Sequence, residues 1–203
     1  MKIILDNREI TMNNVDDKSF SWVLEEVTDL LERDGRMLFN VYIDGKGMDY
    51  YEYFNKEQIG VVEFISKSPK IIILESLGGM SDFISKYFDA LMAIASSFNS
   101  NRTTDAVEIL LEVENGLEWV YNVLASMKEN TAIDFRYPEF DMMFLEYRTI
   151  LEKVQECTES GDYIGGLTLL EVEMSSELIF LQENLDTYMK DIVDEEIDEY
   201  KYN

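Results

Sequence analysis

Ser68-Pro69-Lys70-Ile71-Ile72-Ile73-Leu74-Glu75-Ser76-Leu77-Gly78-Gly79-Met80 is where this chain changes its period. Ser68 offers a side-chain oxygen to the free N–H groups of a helix start. Pro69 then occupies the first helical position, where its missing N–H costs nothing. From Ile73 onward the apolar residues Ile73, Leu77, Met80, Ile84, Tyr87, Leu91, Ile94 and Phe98 alternate spacings of four and three. That is a heptad seam, the mark of a long helix with one buried stripe. Gly78 and Gly79 sit inside it. A glycine within a helix costs roughly 1 kcal/mol relative to alanine, so the pair is expected to mark a kink or a close helix–helix approach.

Downstream the rhythm persists. Ala106, Leu110, Val113, Leu117, Val120, Leu124 and Met127 predict a second helix. A third opens at Pro138 with Phe140, Met143, Phe144, Tyr147, Ile150, Leu151 and Val154, and Gly161 closes it. Leu167, Leu170, Met174, Leu178, Leu181, Leu185, Tyr188 and Ile192 define a fourth. Four long amphipathic helices with mostly short connections predict an antiparallel four-helix bundle over 68–192, with 129–137 as the one longer loop. An acidic tail, 193–203, follows.

Upstream of Ser68 the pattern is strand-like. Lys2–Leu5 and Glu9–Met12 flank the turn pair Asp6-Asn7, a hairpin signature. Asp16-Asp17-Lys18-Ser19 supplies N-cap types, and Phe20, Val23, Leu24, Val27, Leu30 and Leu31 recur at helical spacing up to Gly35. Met37–Ile43, closing on Asp44-Gly45, and Val61–Ile65 complete the set. The order ββαββ in residues 1–67 resembles that of a β-grasp, or ubiquitin-like, domain. The fold class expected is therefore α+β, a β-grasp-like unit followed by a helical bundle.

The chain has 203 residues, 46% of them hydrophobic, enough for one large domain or two small ones. Its 42 acidic and 17 basic residues give a net charge of −25. Disordered chains can be this acidic, but they lack 12 Tyr, 11 Phe and 11 Met. The acidity is uneven, with 28 of the acidic residues and only 9 basic ones beyond residue 68. Such a charge repels nucleic-acid phosphates and anionic lipid, and no basic patch offsets it: Arg33 and Arg36 stand beside Glu32 and Asp34. Neither nucleic acid nor membrane is an expected partner. The first charge arrives before a signal-peptide core could form, and no run approaches the roughly 18 apolar residues of a membrane span. A cytoplasmic, bacterial setting is expected.

The absence of histidine removes the commonest general base, the usual metal ligand and the Glu-x-x-His motif of di-iron bundles. Glu108, Glu112, Glu114 and Glu118, and likewise Glu171, Glu173 and Glu177, could supply carboxylates to a metal, but they alternate with the apolar seam and read as solvated helix faces. Cys157, the lone cysteine, continues the apolar stripe three residues after Val154 and has no cationic neighbour closer than Lys153, so it reads as a buried or half-buried thiol rather than a nucleophile. The Gly-x-Gly at 45–47 lacks the third glycine and the helix of a phosphate-binding loop. No catalytic residue, metal or cofactor is expected. Gly78-Gly79 after a ubiquitin-like element order suggests a processed carrier, against which the seam runs straight through the pair.

Three binding elements stand out. The loop around Tyr50, Tyr51, Tyr53 and Phe54 is aromatic enough for a protein interface, or for covering a sheet edge. Phe135 and Tyr137, within Asp134-Phe135-Arg136-Tyr137, form a smaller set. Asp194, Glu195 and Glu196 belong to a run with six acidic residues between Asp191 and Glu199, which reads as a frayed solubilising end or as bait for a basic partner.

Gly161-Asp162-Tyr163-Ile164, leading into Leu169-Leu170-Glu171-Val172-Glu173, resembles the Gly-Asp-Tyr helix openings of some uncharacterised bacterial acidic helical proteins. Val41-Tyr42-Ile43-Asp44-Gly45 and Ser68-Pro69 fit the same pattern. The resemblance implies a two-part architecture and carries no activity.

These features favour a non-enzymatic protein-binding module, adaptor or chaperone-like, whose partner is basic or offers an amphipathic helix. A groove for it should expose some of Met80, Met92, Met127, Met142, Met143 or Met174. The alternative is a structural protein that forms a homodimer through Phe83, Phe88 and Met92, which lie off the main seam. A carboxylate-based enzyme would need a deep cleft lined by two or more acidic residues.

Overall fold

A computed structural model of the chain describes residues 1–12, 18–47 and 59–202, with side chains described through residue 197. It is an α+β protein in two compact units, Met1–Ile72 and Ile73–Asn203.

The first unit holds β1 (Lys2–Leu5), β2 (Arg8–Ile10), α1 (Phe20–Arg33), β3 (Met37–Ile43), β4 (Lys46–Gly47) and β5 (Val61–Lys67). The strands form one mixed sheet in the order β2-β1-β5-β3-β4. β1 and β5 run parallel, and every other pair is antiparallel. The turn chemistry accounts for both hairpins. Asp6 and Asn7 take φ of 46° and 63°, and Asp44 and Gly45 take 49° and 77°. Two consecutive left-handed residues match the twist of paired strands. The second of these turns produces β4, a strand beyond the four that residue pattern alone suggests, because it sends the chain straight back along β3.

Ser19 caps α1, its Oγ accepting from Trp22 N at 3.3 Å. The helix buries Phe20, Val23, Leu24, Val27 and Leu31 together with Ile3, Ile43, Val62 and Phe64 of the sheet. β5 alternates buried Val62, Phe64 and Ser66 with half-exposed neighbours. Ser66 is a buried hydroxyl and is fully engaged. Its N–H and Oγ donate to the two Asp6 oxygens at 2.8 and 2.6 Å. Arg36 donates to Ser66 Oγ at 2.7 Å and to its carbonyl at 2.9 Å. This clasp joins the β1–β2 turn to the start of β3 and the end of β5.

The helices are α2 (Pro69–Asn99), α3 (Thr103–Asn130), α4 (Ile133–Arg136), α5 (Pro138–Ser160), α6 (Tyr163–Leu169), a π-helical turn (Leu170–Met174) and α7 (Ser175–Tyr202). The seam positions of the second unit form one core, and Met80, Ile84, Leu117, Leu124, Tyr147, Leu181 and Tyr188 are among its fully buried side chains. Three features depart from the residue pattern. The 131–137 connection contains the short helix α4. The fourth predicted helix is broken into α6, the π turn and α7. Helix α2 runs unbroken through Gly78 and Gly79, where an added Cβ would meet nothing nearer than Trp119 at 4.0 Å. The close approach lies instead at Gly116 of α3, where a Cβ would fall 2.2 Å from the Phe83 ring of α2. Among the described residues no helix is long and apolar enough to cross a membrane.

Candidate functional site

On α5, Met142, Glu146, Thr149 and Lys153 recur at spacings of four, three and four, so they share one face. This face stands beside the π turn and the start of α7, and a groove of about 340 Å³ opens between them. Leu145, Glu146, Thr149, Ile150 and Lys153 line one side, with Glu173, Ser176 and Glu177 on the other. Ile150 is buried, while Leu145 is 52% exposed and Met142, one turn before Glu146, is 62% exposed. The groove is open to solvent rather than deep.

The π turn sets the far wall. Such a turn holds one extra residue and leaves backbone groups to be satisfied elsewhere. Here the Leu170 carbonyl takes three donors: the Ser175 N–H, the Ser175 hydroxyl at 2.9 Å and the Tyr87 hydroxyl at 2.6 Å. Tyr87 reaches it from α2, so the turn is pinned through the core. Burial, ahead of its neighbours' contributions, pushes the Tyr87 phenol well above its ordinary value.

Charge in the groove is not balanced. Lys153 Nζ bonds Glu173 at 3.3 Å. Glu146 and Glu177 face the groove from opposite sides, and among the described residues neither is in an ion pair. Partial burial first, then the neighbouring Glu146 charge, raise the Glu177 carboxyl above its ordinary value. Two carboxylates in contact cannot both hold full charge cheaply. A cation placed between them would relieve the repulsion.

A second cavity of about 210 Å³ lies between α3 and α5, lined by Glu118, Tyr121, Arg148, Leu151, Glu152 and Gln155. Its cation is already engaged, since Arg148 Nε donates to Glu152 at 2.8 Å.

Phe135 stands 87% exposed on α4, while Arg136 and Tyr137 beside it bond to α7. Arg136 bridges Asp191 at 3.3 Å and Glu195 at 3.2 Å. Tyr137 donates to Asp191 at 3.0 Å and its ring meets that of Tyr188 at 5.3 Å. The Ala132 N–H bonds Glu195 at 3.3 Å. The structure thus joins two separately predicted elements, the 134–137 loop and the acidic run. Tyr137 and Glu195 serve to hold α4 against α7, Glu196 is half-buried and Asp194 is exposed. Tyr50, Tyr51, Tyr53 and Phe54 lie outside the described residues.

Of the methionines named for a groove, Met80, Met127, Met143 and Met174 are buried, and Met92 and Met142 are exposed at 66% and 62%. Phe83 and Phe88 pack partly buried against the core. Glu108, Glu112, Glu118, Glu171 and Glu173 are exposed and Glu114 is half-buried. Among the described residues no group of three or more potential ligands could hold a metal ion. Cys157 is a half-buried free thiol.

Residue periodicity alone missed Glu146, Thr149 and Lys153. The signal available is the second stripe they form with Met142 on α5, whereas Glu177 in the sequence alone reads as solvated surface.

An α+β protein with a small mixed sheet and a larger helical unit, bearing an open groove of carboxylates and apolar side chains, is the class that these features define. The chain belongs to the family described as a domain of unknown function, DUF8042, which matches residues 75–196. The whole groove lies inside that match, and the sheet unit lies outside it. No curated protein and no solved structure matches the chain.

Proposed function

We propose that this protein is a non-enzymatic binding module, adaptor or chaperone-like, whose helical unit holds a segment of a partner protein in the groove between α5 and α7. In this reading α2, α3, α5 and the α6–α7 rod act as an antiparallel four-helix bundle, supported by the single core that their seam residues share. The first unit is read as a β-grasp, supported by its strand order and the parallel pairing of β1 with β5.

The observation that carries the proposal is the groove itself. It places exposed Leu145 beside two carboxylates that no cation of the described residues neutralises, with exposed Met142 one helical turn before Glu146. Apolar side chains rimmed by polar groups are what an interface offers before its partner arrives. Met142 adds an adaptable side chain.

A photo-crosslinking residue at position 149, introduced in the cells that make the protein, tests this. One adduct at 149, absent when the same residue stands at the exposed position 108 of α3, is the expected result. Equal adducts at both positions, or none at either, would overturn the proposal.

A carboxylate-based enzyme is the second reading, and the Glu146–Glu177 pair is the observation in its favour. A general acid with a raised pKa beside a carboxylate is a usable acid–base couple. Such chemistry gains from the exclusion of water, and the openness of this groove weighs for binding.

A further inference from the structure

We propose that the occupant of the groove is an amphipathic helix from a partner protein that places one lysine or arginine between Glu146 and Glu177 and lays apolar side chains against Leu145, Ile150 and Met142. This rests on the binding-module reading and adds the chemistry of the partner.

Charge complementarity selects the occupant. The groove lining holds three carboxylates, Glu146, Glu173 and Glu177, and one cation, Lys153, which is already bonded to Glu173. Two carboxylates, Glu146 and Glu177, are therefore left without a cation across the groove. An ammonium or guanidinium group has the donors to bond both carboxylates at once. A second copy of this chain is a poor source, because the residues beyond 68 carry 28 of its 42 acidic groups and two copies repel.

The apolar part fixes the rest of the partner. Leu145 and Met142 are three residues apart on α5, and Leu145, Thr149 and Lys153 continue the line at intervals of four. An exposed row of this kind matches a helix laid alongside, with apolar anchors at intervals of three and four. The partner motif is then apolar residues at i and i+3 or i+4, with the cation on the flank facing α7.

Synthetic peptides test this on the full chain. An amphipathic leucine–lysine helix is compared with the same peptide carrying glutamine for lysine, by fluorescence anisotropy at moderate salt. The lysine peptide should bind at least about ten-fold more tightly, the worth of one charge-assisted pair. Glu146→Gln with Glu177→Gln should remove most of that preference. Glu108→Gln with Glu112→Gln, which strips equal charge from the outer face of α3, should leave it within about two-fold, because distant surface charges are screened at such salt.

Thr149→Trp, which fills the groove without touching its charge, should abolish binding of both peptides, and circular dichroism checks that each variant is folded. Equal weakening by the two double variants would overturn the proposal in favour of bulk attraction. Equal binding of the two peptides would overturn it as well. An adduct at position 149 that comes from an acidic or neutral partner segment would remove this proposal and leave the binding module standing.

Discussion

Replacing single glycines by alanine separates two kinds of position that look alike in the sequence. At Gly78 an added Cβ meets nothing within 4 Å, and at Gly79 only the edge of Trp119 at 4.0 Å. Both lie inside the unbroken helix α2. Alanine there should gain about 0.5–1 kcal/mol, the backbone entropy that glycine gives up on folding. At Gly116 the Cβ falls 2.2 Å from Phe83 Cε2 and 2.9 Å from Cζ. Carbon atoms prefer roughly 3.5–4.0 Å, so the ring or the helix must move by more than an ångström.

Phe83 is not free to swing. Its ring packs against Trp119 at 6.0 Å and Tyr87 at 6.4 Å. Overpacking of this kind costs about 1–3 kcal/mol. After the helix-propensity gain, Gly116→Ala should lose about 1–2 kcal/mol. In a chain of this size each of these kcal/mol moves Tm by about 2–4 °C. Urea denaturation followed by helical circular dichroism reads the differences as shifts in midpoint at constant slope. Loss of stability in Gly78→Ala would show that the pair is a hinge or kink after all. Wild-type stability in Gly116→Ala would refute the close approach of α2 and α3.

Two core tyrosines, Tyr147 and Tyr188, should divide in the same manner. The Tyr147 hydroxyl donates to the Leu117 carbonyl at 2.9 Å, whereas the buried Tyr188 hydroxyl has no hydrogen-bond partner among the described residues. Tyr147→Phe should cost about 1 kcal/mol and Tyr188→Phe should gain about as much, read from the same denaturation curves. Burial pushes the Tyr188 phenol up to about 12 and that of Tyr147 well above its usual value. The native state therefore keeps these protons after the unfolded state has lost them, and stability should fall as pH climbs above 10. Tyr188→Phe should flatten that decline between pH 10 and 12.

In the sheet unit, Asp6→Ala removes both acceptors of Ser66 and the 3.5 Å ion pair with Arg36. It should cost about 1–3 kcal/mol and speed amide exchange in β1 and β5. Glu177→Gln should raise the urea midpoint at neutral pH, because the raised carboxyl makes its charged form the less stable one in the folded state. The advantage should shrink as pH falls through the folded value and the wild-type carboxyl gains its proton.

The fold was legible where one physical rule dominated. Ser68-Pro69, the heptad seams and Gly161, whose φ of 79° stops α5, follow from capping, burial and backbone freedom alone. Asp6-Asn7 and Asp44-Gly45 likewise declare their turns. The exact strand count was not legible, because β4 is two residues long and exists through pairing rather than pattern. Nor was the π turn, which depends on Tyr87 reaching Leu170 across 83 residues. The glycines show the same limit. Their meaning depends on what stands opposite, and Gly116 has Phe83 where Gly78 has nothing.

The site was harder still to see. Glu177 reads as solvated surface until Glu146 of another helix is set beside it. Phe135 and the acidic run were visible separately, but not the bridges from Arg136 to Asp191 and Glu195 that tie them together.

Methyl spectra of the methionines test the groove most directly. Met142 lies one turn before Glu146 on the same face of α5, and Met92, just as exposed, stands on α2. With ¹³C-methyl methionine in the full chain, and Met142→Leu to assign the signal, the leucine–lysine helix should shift the Met142 resonance in proportion to occupancy. Met92 and the buried Met80, Met127 and Met174 should stay in place. A shift at Met92 equal to that at Met142, or saturation of the peptide with Met142 unmoved, would contradict the claim that the α5–α7 groove is where this protein takes its partner.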